Sequence, residues 1–101
     1  MITITLENER NEVIEKIGED ANREYLLRYT DNPVYGILSE ISNYDSEIVL
    51  SENAPELITE LESIKSDLTA KQVSHVNEII RLAKIAQKHK GYALIITPFE
   101  T

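Results

Sequence analysis

The chain contains no cysteine. That excludes a disulfide framework, thiolate metal ligands and a thiol nucleophile, and the natural reading is a cytoplasmic protein. Glycine is scarce and scattered at Gly18, Gly36 and Gly91. Without a glycine-rich turn ahead of a helix there is no backbone cradle for phosphate. No apolar run is long enough to span a bilayer. No basic stretch leads into an apolar one, as a secretory signal would require. Repeats, linkers and low-complexity segments are also missing, so residues 1–101 read as a single domain.

What the chain has in excess is acid. The net charge is -8. Residues 1–62 carry 15 Asp and Glu against 4 Lys and Arg, a balance of -11, whereas residues 63–101 carry 3 against 6, a balance of +3. Such a field repels nucleic acid phosphate and anionic membranes. It leaves two readings, solvated helix faces that keep the protein soluble or an acidic surface that attracts a basic protein partner. The 42% apolar share is enough for one core.

Met1–Leu6 alternates Ile2, Ile4 and Leu6 with Thr3 and Thr5, the period of a half-buried strand, and the threonines point to an edge position. In residues 8–29, Val13, Ile14, Ile17, Ala21 and Tyr25 fall at helical spacing, interrupted by Gly18. Either one bent helix runs through, or a short helix stops at Gly18 and Tyr25–Thr30 pairs as a strand; the first half reads as helix. Asp31-Asn32-Pro33 is a turn signal. Residues 34–51 lack a clean period, apart from a short candidate strand at Glu47–Leu50.

The strongest pattern follows. Asn53, Pro55 and Glu56 spell a helix start, and Leu57, Leu61, Ile64 and Leu68 form one apolar stripe. Thr69 and Gln72 make a second capping box, ahead of a broad apolar face from Val73 to Ala86. Lys84, Lys88 and Lys90 crowd the end of that helix, and Gly91 reads as its C′ residue. Tyr92–Thr97 is apolar on both faces, as in a central strand. The expected fold is α/β (α+β): one small two-layer domain, with the N- and C-terminal strands in one sheet covered by a helical hairpin.

Few residues offer chemistry. His75 and His89 are 14 residues apart on one helix, about 21 Å at the helical rise, too far to share a metal ion. Asn43, Asp45 and Glu47 lack the glycine and distal glutamate of a calcium loop, because Ile48 and Ala54 stand there. Glu56 and Glu60 form an i, i+4 carboxylate pair on the face away from the stripe, which reads as a solvated face. No cofactor, metal or catalytic residue is expected. Tyrosine is the uneven usage: Tyr25, Tyr29, Tyr35 and Tyr44 lie within a stretch that also holds Glu24, Asp31 and Asp45. These seven residues form the candidate partner-binding patch, since tyrosine buries area while keeping a hydrogen-bonding tip. The competing reading makes the rings core-edge residues.

Residues 33–68 resemble a family of small uncharacterised bacterial proteins. The shared elements are Leu38, Ile41, Tyr44-Asp45-Ser46 and Ile48, then the helix from Leu57 to Ile64, with a second helix and a C-terminal apolar strand to follow. That resemblance implies no reaction. In its small size, acidity and lack of cysteine the chain also looks like bacterial immunity proteins, which occlude a toxin. The leading expectation is a non-catalytic acidic protein-binding domain of immunity or inhibitor type. One alternative is a small hydrolase using Asp45, Glu47, Glu56 or Glu60. Another is a structural homodimer joined through residues 73–86 or the Met1–Leu6 edge.

Overall fold

A computed structural model describes residues 1–27, 36–42 and 44–98. Among them are four strands, β1 (Thr3–Glu7), β2 (Val13–Gly18), β3 (Glu47–Leu50) and β4 (Ala93–Thr97). The α-helices are a short α1 (Arg23–Leu26), α2 (Ala54–Ile64) and α3 (Ala70–Lys88). The strands form one antiparallel sheet in the order β2-β1-β4-β3. α3 lies across β1, β2 and β4 and against α2, while α2 reaches β3. The result is the expected two-layer α+β domain, with both terminal strands in one sheet beneath a helical hairpin.

The core lies between the layers. Ile4, Leu6, Leu94, Ile96 and Val49 point from the sheet into it. Leu57, Leu61, Ile64, Val76, Ile79, Leu82, Ala83 and Ala86 meet them from the helices. Burying one such aliphatic side chain contributes about 1.5–3 kcal/mol. α3 starts as its sequence dictates: the Gln72 amide donates to Thr69 Oγ1 at 3.2 Å, and the Thr69 amide donates to Gln72 Oε1 at 3.0 Å. Replacing Thr69 by alanine is therefore expected to cost about 1 kcal/mol in urea denaturation. A loss below about 0.3 kcal/mol would show that the box contributes nothing.

Several sequence expectations need correction. Val13–Gly18 is a strand, not the first half of a helix. Asn8 closes the β1–β2 hairpin, its Oδ1 accepting from the amides of Arg10 at 2.9 Å and Glu12 at 3.0 Å. β1 is not an edge strand, because β2 and β4 flank it. β4 is central, but the hairpin covers only one of its faces, and Ile95 on the other stays half-buried. Asn53 caps nothing: a 3₁₀ turn over Ser51–Asn53 runs straight into α2, leaving Asn53 in helical backbone where its side chain cannot reach the first amides. Gly91 does take a positive φ of 94°, but it lies two residues beyond the C-cap, His89. A Cβ there would also approach Glu9 Cβ to 2.9 Å.

Candidate binding face

Alternate residues of a strand point to opposite sides of a sheet. With the core on one side, the register fixes what the other presents. Lys16, Thr5, Ile95 and Ile48 form one row across the outer face, and Val13, Glu7, Ala93 and Leu50 form the next. Antiparallel sheets can leave one face in water, and such a face is ordinarily polar. Here β1 presents Thr5 and Glu7, whereas β3 and β4 and the start of β2 present apolar side chains. Val13 is 60% exposed and Ile48 57%, and Ile14 and Leu50 are also exposed. Ile14 is the extra residue of a bulge, because Leu6 pairs with Glu15 whereas Glu7 pairs with Val13. Around these side chains stand exposed Glu9, Glu12, Asp45 and Glu52.

The predicted tyrosine patch divides. Tyr44 is 84% exposed in the turn before β3, next to exposed Asp45. Tyr25 is buried in α1, with its ring edge-on to His75 at 6.4 Å. Burial, and then the nearby Glu19 charge, push its hydroxyl up to about 12. Glu24 beside it is exposed. Tyr29, Asp31 and Tyr35 lie outside the described residues. Both groups sit at the end of the sheet where Gly18, Thr3 and Thr97 pair, but on opposite edges. Three strand spacings separate those edges, about 14 Å.

The four candidate carboxylates serve different ends. Asp45 and Glu56 are exposed. Glu47 is half-buried opposite Ile96, and desolvation, then the charge of Glu40, raises its carboxyl above the usual range. Glu60 is not on a solvated face: it is 4% exposed. Its Oε1 accepts from the amides of Ile37 at 3.1 Å and Leu38 at 2.8 Å, and Oε2 accepts from Ile37 at 3.0 Å. These amides open the 3₁₀ turn Leu38–Glu40 and would otherwise lack partners. Sequence reasoning missed this role although a signal was present. Glu60 fills the i+3 position of the stripe Leu57, Leu61, Ile64, which faces the core.

His75 enters the core from α3. It is buried, with Nε2 3.2 Å from Asn22 Nδ2 and Nδ1 3.6 Å from Glu19 Oε2. His89 stacks on Tyr92 with ring centres 4.7 Å apart. Among the described residues no group of three His, Cys, Asp or Glu is placed to hold a metal ion. No described helix is long and apolar enough to cross a membrane. The two surfaces considered for a homodimer are spent inside the fold. Val76, Ile79, Ile80, Leu82, Ala83 and Ala86 are buried in the core, and β1 is paired on both edges.

No protein-family model, no curated protein and no solved structure matches this chain.

Proposed function

We propose that this chain is a non-catalytic cytoplasmic binding domain that docks a basic protein partner on the outer face of its sheet, occluding it as an immunity or inhibitor protein does. One observation carries the reading. The exposed large hydrophobics among the described residues are Met1, Val13, Ile14, Tyr44, Ile48 and Leu50. All belong to the sheet strands or to the residues just before them, and α2 and α3 contribute none. Ile48 and Leu50, with Ile95 and Ala93 beside them on β4, form one apolar patch, and an apolar patch bordered by polar groups marks an interaction site. Acidic groups border it, Glu7 on β1, Glu9 and Glu12 in the β1–β2 turn, and Asp45 and Glu52 on either side of β3, so the complementary surface is basic with an apolar part. Tyr44 supplies an aromatic anchor at one end of the face.

The test compares the wild-type chain with Ile48→Ser/Leu50→Ser and with Tyr44→Ala as baits in low-salt pull-downs from the native cell. Tyr44→Ala should stay within about 0.5 kcal/mol of wild type, and the sheet variant, whose two side chains are about half covered, should lose about 1–2 kcal/mol and remain folded. A basic protein retained by wild type should be lost from the sheet variant and weakened on Tyr44→Ala. Its association rate should fall as salt rises toward physiological strength, where screening reaches about 8 Å. Equal retention by all three baits would overturn the assignment of the face.

A further inference from the structure

The helical layer carries a second surface of opposite sign. A groove of about 490 Å³ runs between the end of α2 and α3. Its charged lining is Lys65, Arg81, Lys84 and Lys88 against one acid, Glu62, and Ile80 and Ile85 supply its apolar part. With Glu15 and Glu78, which pair with Arg81, counted beside Glu62, the four cations face three acids, so a chain of net charge -8 keeps a local balance of +1 here, carried by Lys84 and Lys88. Two of the cations are engaged. Lys65 Nζ lies 3.0 Å from Glu62 Oε1, and Arg81 bridges Glu15 on β2 and Glu78 on its own helix. Lys84 and Lys88 form no ion pair among the described residues.

Helix-end electrostatics account for only part of this. A cation complements the dipole within the last turn, which covers Lys88. Lys84 lies a turn earlier, and Lys65 comes from the turn after α2. Arg81, Lys84 and Lys88 follow at i, i+3 and i+7, so they line one flank at about one helical turn per cation. The ligand that satisfies such a groove is linear, presents carboxylates at a similar spacing and lays an aliphatic side chain on the half-buried Ile85, Ile80 beneath it being nearly covered.

We propose that the α2–α3 groove binds an acidic, leucine-bearing peptide segment of a partner protein, with Lys84 and Lys88 as the charge-reading residues. This site is separate from the sheet face and does not rest on the reading given for it. The two surfaces together would let one chain hold a basic surface on its sheet and an acidic segment on its helices.

A fluorescein-labelled synthetic peptide of about 12 residues, with Glu and Leu on adjacent stripes of a helix, extends about 18 Å, the rise of α3 over the lining stretch from Asn77 to Lys88. Anisotropy titration should show saturable binding that weakens as salt rises. Lys84→Glu/Lys88→Glu should raise Kd at least tenfold; Lys88→Glu also reverses a favourable charge at the helix end, so Lys84→Glu alone, exposed and a turn earlier, should weaken binding with a thermal midpoint close to that of wild type. Ile48→Ser/Leu50→Ser should leave Kd as it is. The same peptide with Gln for Glu should not bind. Absence of saturable binding to wild type, or equal binding to the charge-reversed variant, would overturn the proposal. So would complete displacement by inorganic phosphate at constant ionic strength, which would make the groove a small-anion site.

Discussion

Replacing Glu60 by alanine is expected to cost about 3 kcal/mol of stability, and the thermal midpoint should fall by roughly 15 °C. The side chain is almost fully buried, and its two oxygens take up the amides of Ile37 and Leu38. Alanine leaves the buried Leu38 amide and the half-buried Ile37 amide without acceptors, and the loss of a charge-assisted bond is larger than that of a neutral one. Glu60→Gln keeps one acceptor oxygen but turns an amide group toward the other donor site. It should fall between, at about 1.5 kcal/mol. Glu56→Gln, one turn earlier and exposed, should change stability by less than about 0.5 kcal/mol and serves as the control. Chemical denaturation measures all three. If Glu60→Ala stays within about 0.5 kcal/mol of wild type, the tie to Ile37 and Leu38 is not a stabilising one.

The same residue shows why α2 was legible in outline but not in detail. The stripe of Leu57, Leu61 and Ile64 is a local pattern, and a period of 3.6 announces which face is buried. Thr69 and Gln72 were legible for the same reason, as their two bonds close within three residues. What Glu60 does there depends on amides more than twenty residues earlier, and no local pattern encodes that pairing. β2 failed for a different reason. Its bulge at Ile14 breaks the alternation that marks a strand, and the displaced Val13 and Ile14 then mimic one side of a helix. The outer face was hidden as well. That Ile48 and Leu50 share it with Ile95 and Ala93 follows from the β3–β4 register, which joins segments over forty residues apart. Tyrosine usage marked Tyr44 and Tyr25 alike, because composition cannot separate an exposed ring from a buried one.

Asn22 is the other residue whose loss should be severe. It lies fully buried at the end of the turn after β2, where Ala21 is held at a positive φ of 62°. Its Oδ1 accepts from the Ile2 amide and its Nδ2 donates to the Ile2 carbonyl, both at 2.7 Å, so one side chain completes the start of β1. The second Nδ2 hydrogen points at His75 Nε2. This network assigns Nε2 as the acceptor and places the ring proton on Nδ1, toward Glu19. Asn22→Ala strands three buried polar atoms and should cost about 3 kcal/mol. A protonated His75 would bring an N–H against the Asn22 amide group, so acid strains the same site.

Burial lowers the pKa of His75, opposed by the charges of Glu19 and Glu78. Lys71 stands 3.7 Å from Glu19, and Tyr25 edges the ring from α1. The folded state therefore holds His75 neutral at a pH where the unfolded chain, with an ordinary value of about 6.5, has begun to take up a proton. Stability from this group is complete above about pH 6.5 and falls as pH drops through it. The limiting slope is about 1.4 kcal/mol per pH unit. Urea denaturation of wild type at pH 7.5 and pH 5.5 should show this loss, and His75→Gln, which has no proton to gain, should show a smaller one. Equal pH dependence in the two proteins would mean that His75 is not the group that titrates.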